Sequence, residues 1–484
     1  MTAEHAQTES HPNSLASYAL PLGLGLALAT LLGALAQHEG NVASLFGIPV
    51  AYMLFLVTLL GVAVFHAHAL QVALAGAGTL VAFSLWQSAE FSFVHHMQHE
   101  WVVLSNLFGL LVGFGLLANH FEHSGVPERL PRVLPGGWKG CFALLAIVWM
   151  ISGFLDNIAA AMIGGGVAAT VFRGRVHVGY LAGIVAASNA GGAGSVLGDT
   201  TTTMMWIGGV SPLDVLHGYV GAFVALLISG LVASILQDSY QKLEVPTEAA
   251  PALDKGRLFV VAAILGTAVA ANILQNTVFH GIDEHAPVLA LALWAAILGL
   301  SFYRKPAWNV VPSIARGSIF LLSLVLCASL LPLDKLPEPS PYSTLGLGFL
   351  SAIFDNIPLT ALALRQQGFD WGLLAFAVGF GGSILWFGSS AGVALSARFP
   401  AARSTGDWLR YGWHVPVAYV AGFFAMYLTM GWHPHPLKGQ APAHAPEQTT
   451  PAGEVHAGEG ALLVPQESRS EALAAELEAL RIDE

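Results

Sequence analysis

The sequence predicts an all-α polytopic membrane protein of about 11 spans. It reads as two inverted repeats, each holding a re-entrant hairpin and an unwound transmembrane helix. Three observations lead there. The 484 residues are 55% hydrophobic and 10% charged, with a mean hydropathy of +0.64, whereas an ordinary soluble domain carries about 25% charged residues. Apolar runs near the ~20 residues that a bilayer core requires recur through the first 432 residues. An Asp-Asn pair inside an apolar stretch occurs twice, followed each time by the same glycine pattern. This composition excludes an ordinary soluble enzyme, a disordered scaffold and a nucleic-acid partner, which requires a basic face. Cys141 and Cys327 both lie in apolar runs and exclude a disulfide framework. No cofactor is expected.

In chain order, spans are expected at 16–36, 47–65, 69–87, 101–119, 178–206, 214–237, 257–275, 287–303, 315–333, 371–397 and 411–432. Residues 1–46 then hold the N-terminal segment with the first span, 47–237 the first repeat, 238–256 a cytoplasmic linker and 257–432 the second repeat. The first run ends Ala34-Leu35-Ala36, a signal-peptidase pattern. It is long and has no basic segment before it, so it reads as a retained span. Two more apolar stretches, 140–172 and 344–364, are interrupted near the middle by Asp-Asn and are not plain spans. From 433 to 484 the chain turns polar, with Pro434, Pro436, Pro442, Pro446 and Pro451 spread through it. Nine acidic residues against Lys438, Arg469 and Arg481 give this tail −6 of the net −11. It reads as disordered, with a short helix at 468–482 where Leu473, Leu477 and Leu480 share a face behind Ser470.

The repeat is visible residue by residue. Ser152-Gly-Phe-Leu-Asp156-Asn157-Ile158 is echoed by Ser351-Ala-Ile-Phe-Asp355-Asn356-Ile357. Gly191-Gly192 with Gly198 is echoed by Gly381-Gly382 with Gly388. If each Asp-Asn segment enters and leaves on one side, each unit crosses five times and the second is inverted. Basic residues test this. Hairpins put fourteen of them, from Arg129 to Arg410, on one side, and only Lys335 and Arg365 on the other, tail excluded. Counting the segments as full spans scrambles the split to nine and seven. The hairpin arrangement carries the positive-inside signature. It places the protein in the plasma (inner) membrane, with the N-terminus cytoplasmic and the tail external.

The residues of interest lie at the breaks. Ser188-Asn189-Ala-Gly-Gly-Ala-Gly-Ser-Val-Leu-Gly198-Asp199-Thr200-Thr201-Thr202-Thr203 cannot continue a regular helix at membrane depth. Unwound backbone is tolerated there only where protein or a water-filled cavity satisfies it. Carbonyl, hydroxyl and carboxylate oxygens suit hard cations. Close packing explains the glycines but not Asp199, because an intramembrane carboxylate is costly and usually functional. Asp156 and Asp355 fit hairpin tips, where each caps a helix or binds an ion. Asp156 is the stronger ligand candidate, since it shares a half with Asp199. The second half has Ser389 and Ser390 where the first has Asp199 and Thr200. Two carboxylates in a poor dielectric resist joint ionisation, which suits a site where protons and a cation exchange. The expected exchange pair is Asp156 and Asp199. Asn157, Asn189, Thr200, Thr201, Thr202, Asp355, Asn356, Ser389 and Ser390 are expected to line the site.

These segments resemble a family. SNAGGAGSVLGDTTTTMMW (188–206), FLDN (154–157), FDNIPLTA (354–361) and GFGGSILWFGSSAGVAL (379–395) look like the NhaD-type sodium/proton antiporters. These belong to the ion-transporter superfamily, with its citrate- and arsenite-permease-like fold. The resemblance covers about 137 to 432. It implies exchange of Na⁺ or Li⁺ for H⁺, with site roles for Asp156, Asn157, Asn189, Asp199, Thr201 and Thr202. It also implies a homodimer with a scaffold and a moving transport domain. The alternative is an organic-anion (citrate or dicarboxylate) or arsenite permease of the same superfamily. Helix N-termini favour anions, yet the core motifs contain three Asp and no Lys or Arg.

His95, His96, His99 and Glu100 lie before a span on the outer side, in what reads as a loop, and form a candidate pH-responsive group. His95 and His99 have i,i+4 spacing, but no third ligand accompanies them and no transition metal is expected. His66, His68, His120 and His123 read as interfacial. Gly388-Ser389-Ser390-Ala391-Gly392 fits the Gly-x-Ser-x-Gly string of hydrolases, but no strand precedes it and no enzyme is expected.

Overall fold

A computed structural model describes residues 16–39, 42–65, 68–88, 91–245, 249, 251–277, 285–333, 336–435 and 437. The tail helix expected at 468–482, His66 and Lys335 lie outside them. The chain is a helical, multi-pass membrane protein. Six of its described helices are long and apolar enough to cross a bilayer, and a bent pair, Thr405–Tyr411 with His414–Met430, makes a seventh.

The first group contains α1 (Ala16–Leu35), α2 (Val50–Val64), α3 (Ala69–Gln87) and α4 (Phe93–Glu122). Between α1 and α2 the chain forms a small antiparallel sheet, β1 (Gln37–Glu39), β2 (Val42–Leu45) and β3 (Ile48–Pro49), which hydropathy alone did not announce. Its second turn is Phe46-Gly47, with φ of 54° and 76°. That left-handed pair matches the twist of two-residue hairpins.

The middle of the chain forms α5 (Trp138–Ser152), α6 (Asn157–Val171), α7 (Val178–Gly192), α8 (Thr200–Ile207) and α9 (Gly218–Tyr240). Then come α10 (Lys255–Thr277), α11 (Val288–Leu300) and α12 (Val311–Ser329). The last group is α13 (Pro341–Ser351), α14 (Asn356–Gln366), α15 (Trp371–Gly381), α16 (Ser390–Arg398) and α17 (His414–Met430). Several expected spans are shorter than drawn. The run at 47–65 gives a 15-residue helix and that at 287–303 one of 13 residues. The runs at 178–206 and 371–397 are each interrupted, after Gly192 and after Gly381.

Two kinds of packing organise these helices. One core takes Leu145, Val148 and Ile184 from the first half and Phe376, Phe380 and Tyr419 from the second, so the two broken helices share an interior. Peripheral helices α1–α3 pack with α12, and α4 packs with α10 and α11, in separate clusters. On the Arg-rich side the linker is pinned. Asp254 donates its backbone N–H to Ser124 O at 2.9 Å and pairs with Arg304 at 3.3 Å. The Arg257 backbone N–H and the Arg304 guanidinium hold the Asp254 carboxyl below the usual range.

Ordered chain continues past the last helix. Trp371 Nε1 donates to His435 O at 2.7 Å, the His433 N–H to Asp370 Oδ2 at 3.0 Å, and Leu437 is buried beside Val215 and Leu374.

Candidate functional site

The two Asp-Asn segments make the same turn. Helix α5 ends at Ser152, residues 153–155 turn, and Asp156 precedes α6. Helix α13 ends at Ser351, and Asp355 precedes α14. In each hairpin the serine that ends the first helix docks on a broken helix. Ser152 Oγ donates to Ser188 O at 2.5 Å, and Ser351 Oγ to Val378 O at 2.7 Å. Glycine permits the approach. A Cβ on Gly198 would lie 2.1 Å from Ser152 O, and one on Gly388 would lie 2.4 Å from Ala352 O. Gly198→Ala is therefore expected to cost about 1–3 kcal/mol by overpacking, read as a lower thermal midpoint of the purified protein. Gly266→Ala, where nothing lies within 4 Å, is the control. Equal midpoints would show that the glycine contact does not hold the hairpin.

The break between α7 and α8 places Asp199 beside the first hairpin. Asn157 Nδ2 donates to Asp199 Oδ1 at 3.1 Å and to Asn189 Oδ1 at 3.0 Å. Thr201 Oγ1 donates to Asp199 Oδ2 at 2.6 Å, and Asn356 Nδ2 reaches the same oxygen at 3.3 Å. Asn189 Nδ2 in turn donates to Ser383 Oγ at 2.9 Å and Ser389 Oγ at 3.1 Å. Thr202 Oγ1 and Thr203 Oγ1 donate to Asp199 O, both at 2.9 Å, tying the start of α8 to the break. Asn157, Asn189, Asp199, Thr201 and Asn356 thus form one buried network drawn from both halves of the chain.

The aspartates that begin the two hairpin helices differ. Asp355 caps its helix, accepting from the Ile357 N–H at 3.1 Å, and its other oxygen accepts from Ser390 Oγ at 3.1 Å. Asp156 makes no side-chain cap, and its buried Oδ1 has no hydrogen-bond partner. A buried charged oxygen without a partner is costly.

Asp156, Asp199, Thr200 and Thr203 line a cavity of about 490 Å³. Its opposite wall comes from α4 and α12, and it extends to Glu122 at the end of α4. No Lys, Arg or His is among the described residues that line it. Glu122 also lines a second cavity, of about 370 Å³, with Glu128, Arg132 and Arg398. Glu122 and Ser383 were not singled out from the sequence. Ser383 follows the second Gly-Gly pair and was open to recognition through the repeat. Glu122 had no such signal, because its place depends on where α4 meets the hairpin.

The His segment lies apart from this network and is helical, not a loop. Ser92 caps α4, accepting from the His95 N–H at 3.4 Å, so the first turns of α4 carry His95, His96, His99 and Glu100. His95 and His99 ring nitrogens approach to 3.3 Å, while His96 turns inward to Ser329 Oγ at 2.8 Å. His120, expected at an interface, is buried, with Nδ1 3.3 Å from Arg257. Burial there is possible because the guanidinium supplies a polar partner.

No family model matches the chain. It is similar to the sodium/proton antiporter 1 of Arabidopsis thaliana, 26% identical over 411 residues that cover 74% of this chain and 67% of the plant protein. It is 25% identical over 386 residues to the Na⁺/H⁺ antiporter NhaD of Vibrio parahaemolyticus, covering 65% of this chain and 90% of that protein. The NhaD of Alkalimonas amylolytica is 29% identical over 302 residues, covering 52% and 61% respectively.

Proposed function

We propose, from the premise that this chain is of the NhaD type, that it exchanges Na⁺ or Li⁺ for H⁺ across the membrane by alternating access. One observation carries the reading. Two carboxylates, Asp156 from the hairpin and Asp199 from the helix break, open onto one cavity with no cationic side chain among its described lining residues. A citrate-like substrate would meet repulsion there, whereas a hard cation finds carboxylate and hydroxyl oxygens.

The two aspartates divide the work. Asp199 is held by Asn157, Thr201 and Asn356, so its carboxylate is a fixed anionic arm. Asp156, with an unpartnered oxygen, alternates between a proton and the cation. Proton binding there removes the charge that holds the ion, which couples the two fluxes. Thr200 and Thr203 add hydroxyls on the cavity side. Asp355 serves its own helix and supports the site through α14, whose first residue, Asn356, reaches Asp199.

The same reading includes the inverted topology of about 11 spans, supported by the basic-residue split. It puts the N-terminus in the cytoplasm, the tail outside, and the mouth at Glu122 on the inner face. A homodimer is part of the family resemblance. Adding Na⁺ to everted vesicles should release protons from the lumen. Citrate uptake with no Na⁺ or Li⁺ response would overturn the assignment in favour of the anion permease.

Glu122 then concentrates cations at the inner mouth. Glu122→Gln should raise KM for Na⁺ about three- to tenfold at low ionic strength and leave kcat unchanged, the effect shrinking in choline chloride. A fall in kcat with KM unchanged removes Glu122 from this role.

A further inference from the structure

A separate cavity of about 450 Å³ lies among the sheet, the ends of α3 and α12, the first turns of α4 and the last turn of α14. This volume falls within the range of small-molecule sites, about 300–1,000 Å³. Among the described residues it shares no lining residue with the cavity at Asp156 and Asp199. Phe83, Phe91 and Leu331 give it apolar walls, Ser84 adds a hydroxyl, and Arg365 and His96 are its basic groups. No Asp or Glu is among its described lining residues.

Arg365 is the group without an explanation. A basic residue in the last turn offsets the negative pole of a helix, which accounts for an arginine at the end of α14. It does not account for the buried Nη1, which has no hydrogen-bond acceptor. An unpaired buried donor costs about 1–3 kcal/mol, and more on a charged group. His96 is not that acceptor: its Nε2 pairs with Ser329 Oγ at 2.8 Å, and Arg365 Nη1 stays unpartnered. Glu100 acts electrostatically on both His96 and Arg365, and His99 acts on His96. Glu100 forms none of the ion pairs among the described residues.

We propose that this cavity binds an oxyanion carried on a compact apolar body, with a carboxylate or phosphate group on the Arg365 guanidinium and hydrocarbon against Phe83, Phe91 and Leu331. A guanidinium fork matches the planar pair of oxygens that such groups present. The ligand is a free short-chain carboxylate or the headgroup end of an anionic lipid. It sits at the last turn of the helix whose first residue holds Asp199, so its binding biases the position of α14. The site itself does not depend on the exchange reading, and its test reads binding rather than transport.

The full-length protein, purified in a neutral detergent, is titrated with radiolabelled hexanoate in one arm and with phosphatidylglycerol, read by native mass spectrometry, in the other. Saturable binding in either arm is expected and identifies the source. Arg365→Gln should weaken it about ten- to hundredfold, Arg365→Lys should recover only part of it because an ammonium keeps the charge without the planar fork, and Glu100→Gln should strengthen it by removing the competing carboxylate. Absence of binding in both arms overturns the proposal, as does binding that Arg365→Gln leaves intact. Should Arg365→Gln not fold, Glu100→Gln decides: unchanged or weaker binding then rejects the site.

Discussion

Replacing Asp199 by Asn is expected to reduce Na⁺-driven proton movement in everted vesicles at least about a hundredfold, because a charge-assisted ligand of ~3 kcal/mol is removed. The change is also expected to be felt in the fold. Asn157 Nδ2, Thr201 Oγ1 and Asn356 Nδ2 all donate to the Asp199 carboxylate. An amide presents one acceptor and one NH₂, so at least one donor would then face another donor. A loss of about 1–3 kcal/mol in stability should accompany the loss of exchange, while the protein still inserts. Exchange that survives in Asp199→Asn takes this residue out of the mechanism.

Asp156→Asn is expected to have the opposite balance. Oδ1 of Asp156 has no partner to lose, so the thermal midpoint should stay close to that of the parent. Exchange should nevertheless disappear, and with it the pH dependence of Na⁺ binding. On the proposed mechanism, Na⁺ affinity in the parent protein should fall as pH falls, because the proton and the ion compete for one carboxylate. In the variant a calorimetric titration at two pH values should give the same, weaker affinity. A pH slope equal to that of the parent would place the competing group elsewhere.

Much of this candidate site was legible in the sequence because membrane depth makes a few residues conspicuous. Asp156, Asp199 and Asp355 stand out where carboxylates are costly, and the paired Gly-Gly and later glycines mark helix breaks that recur in the fold. Other features depend on neighbours distant in the chain. Whether an aspartate at a hairpin caps its helix is set by local rotation, and Asp355 does so while Asp156 does not. Glu122 belongs to the cavity because α4 and α12 pass opposite the hairpin, a juxtaposition that no local pattern carries. The His95–Glu100 segment reads as a loop in the sequence because its histidines and glutamate hide the helical period that Ser92 begins.

The bonds of Asn189 have a mechanical consequence. Its side chain is a rivet, joined to Asn157 on the first hairpin and to Ser383 and Ser389 in the second broken helix. Parting those pieces would strand four buried polar groups, so under the proposed exchange they should move as one body. Slippage has to occur elsewhere. The seam between this body and α4 with α12 is already partly hollow, and Gly317 on it meets no atom within 4 Å of a Cβ. Bulk added there should act as a brake, slowing turnover without weakening the grip on the ion.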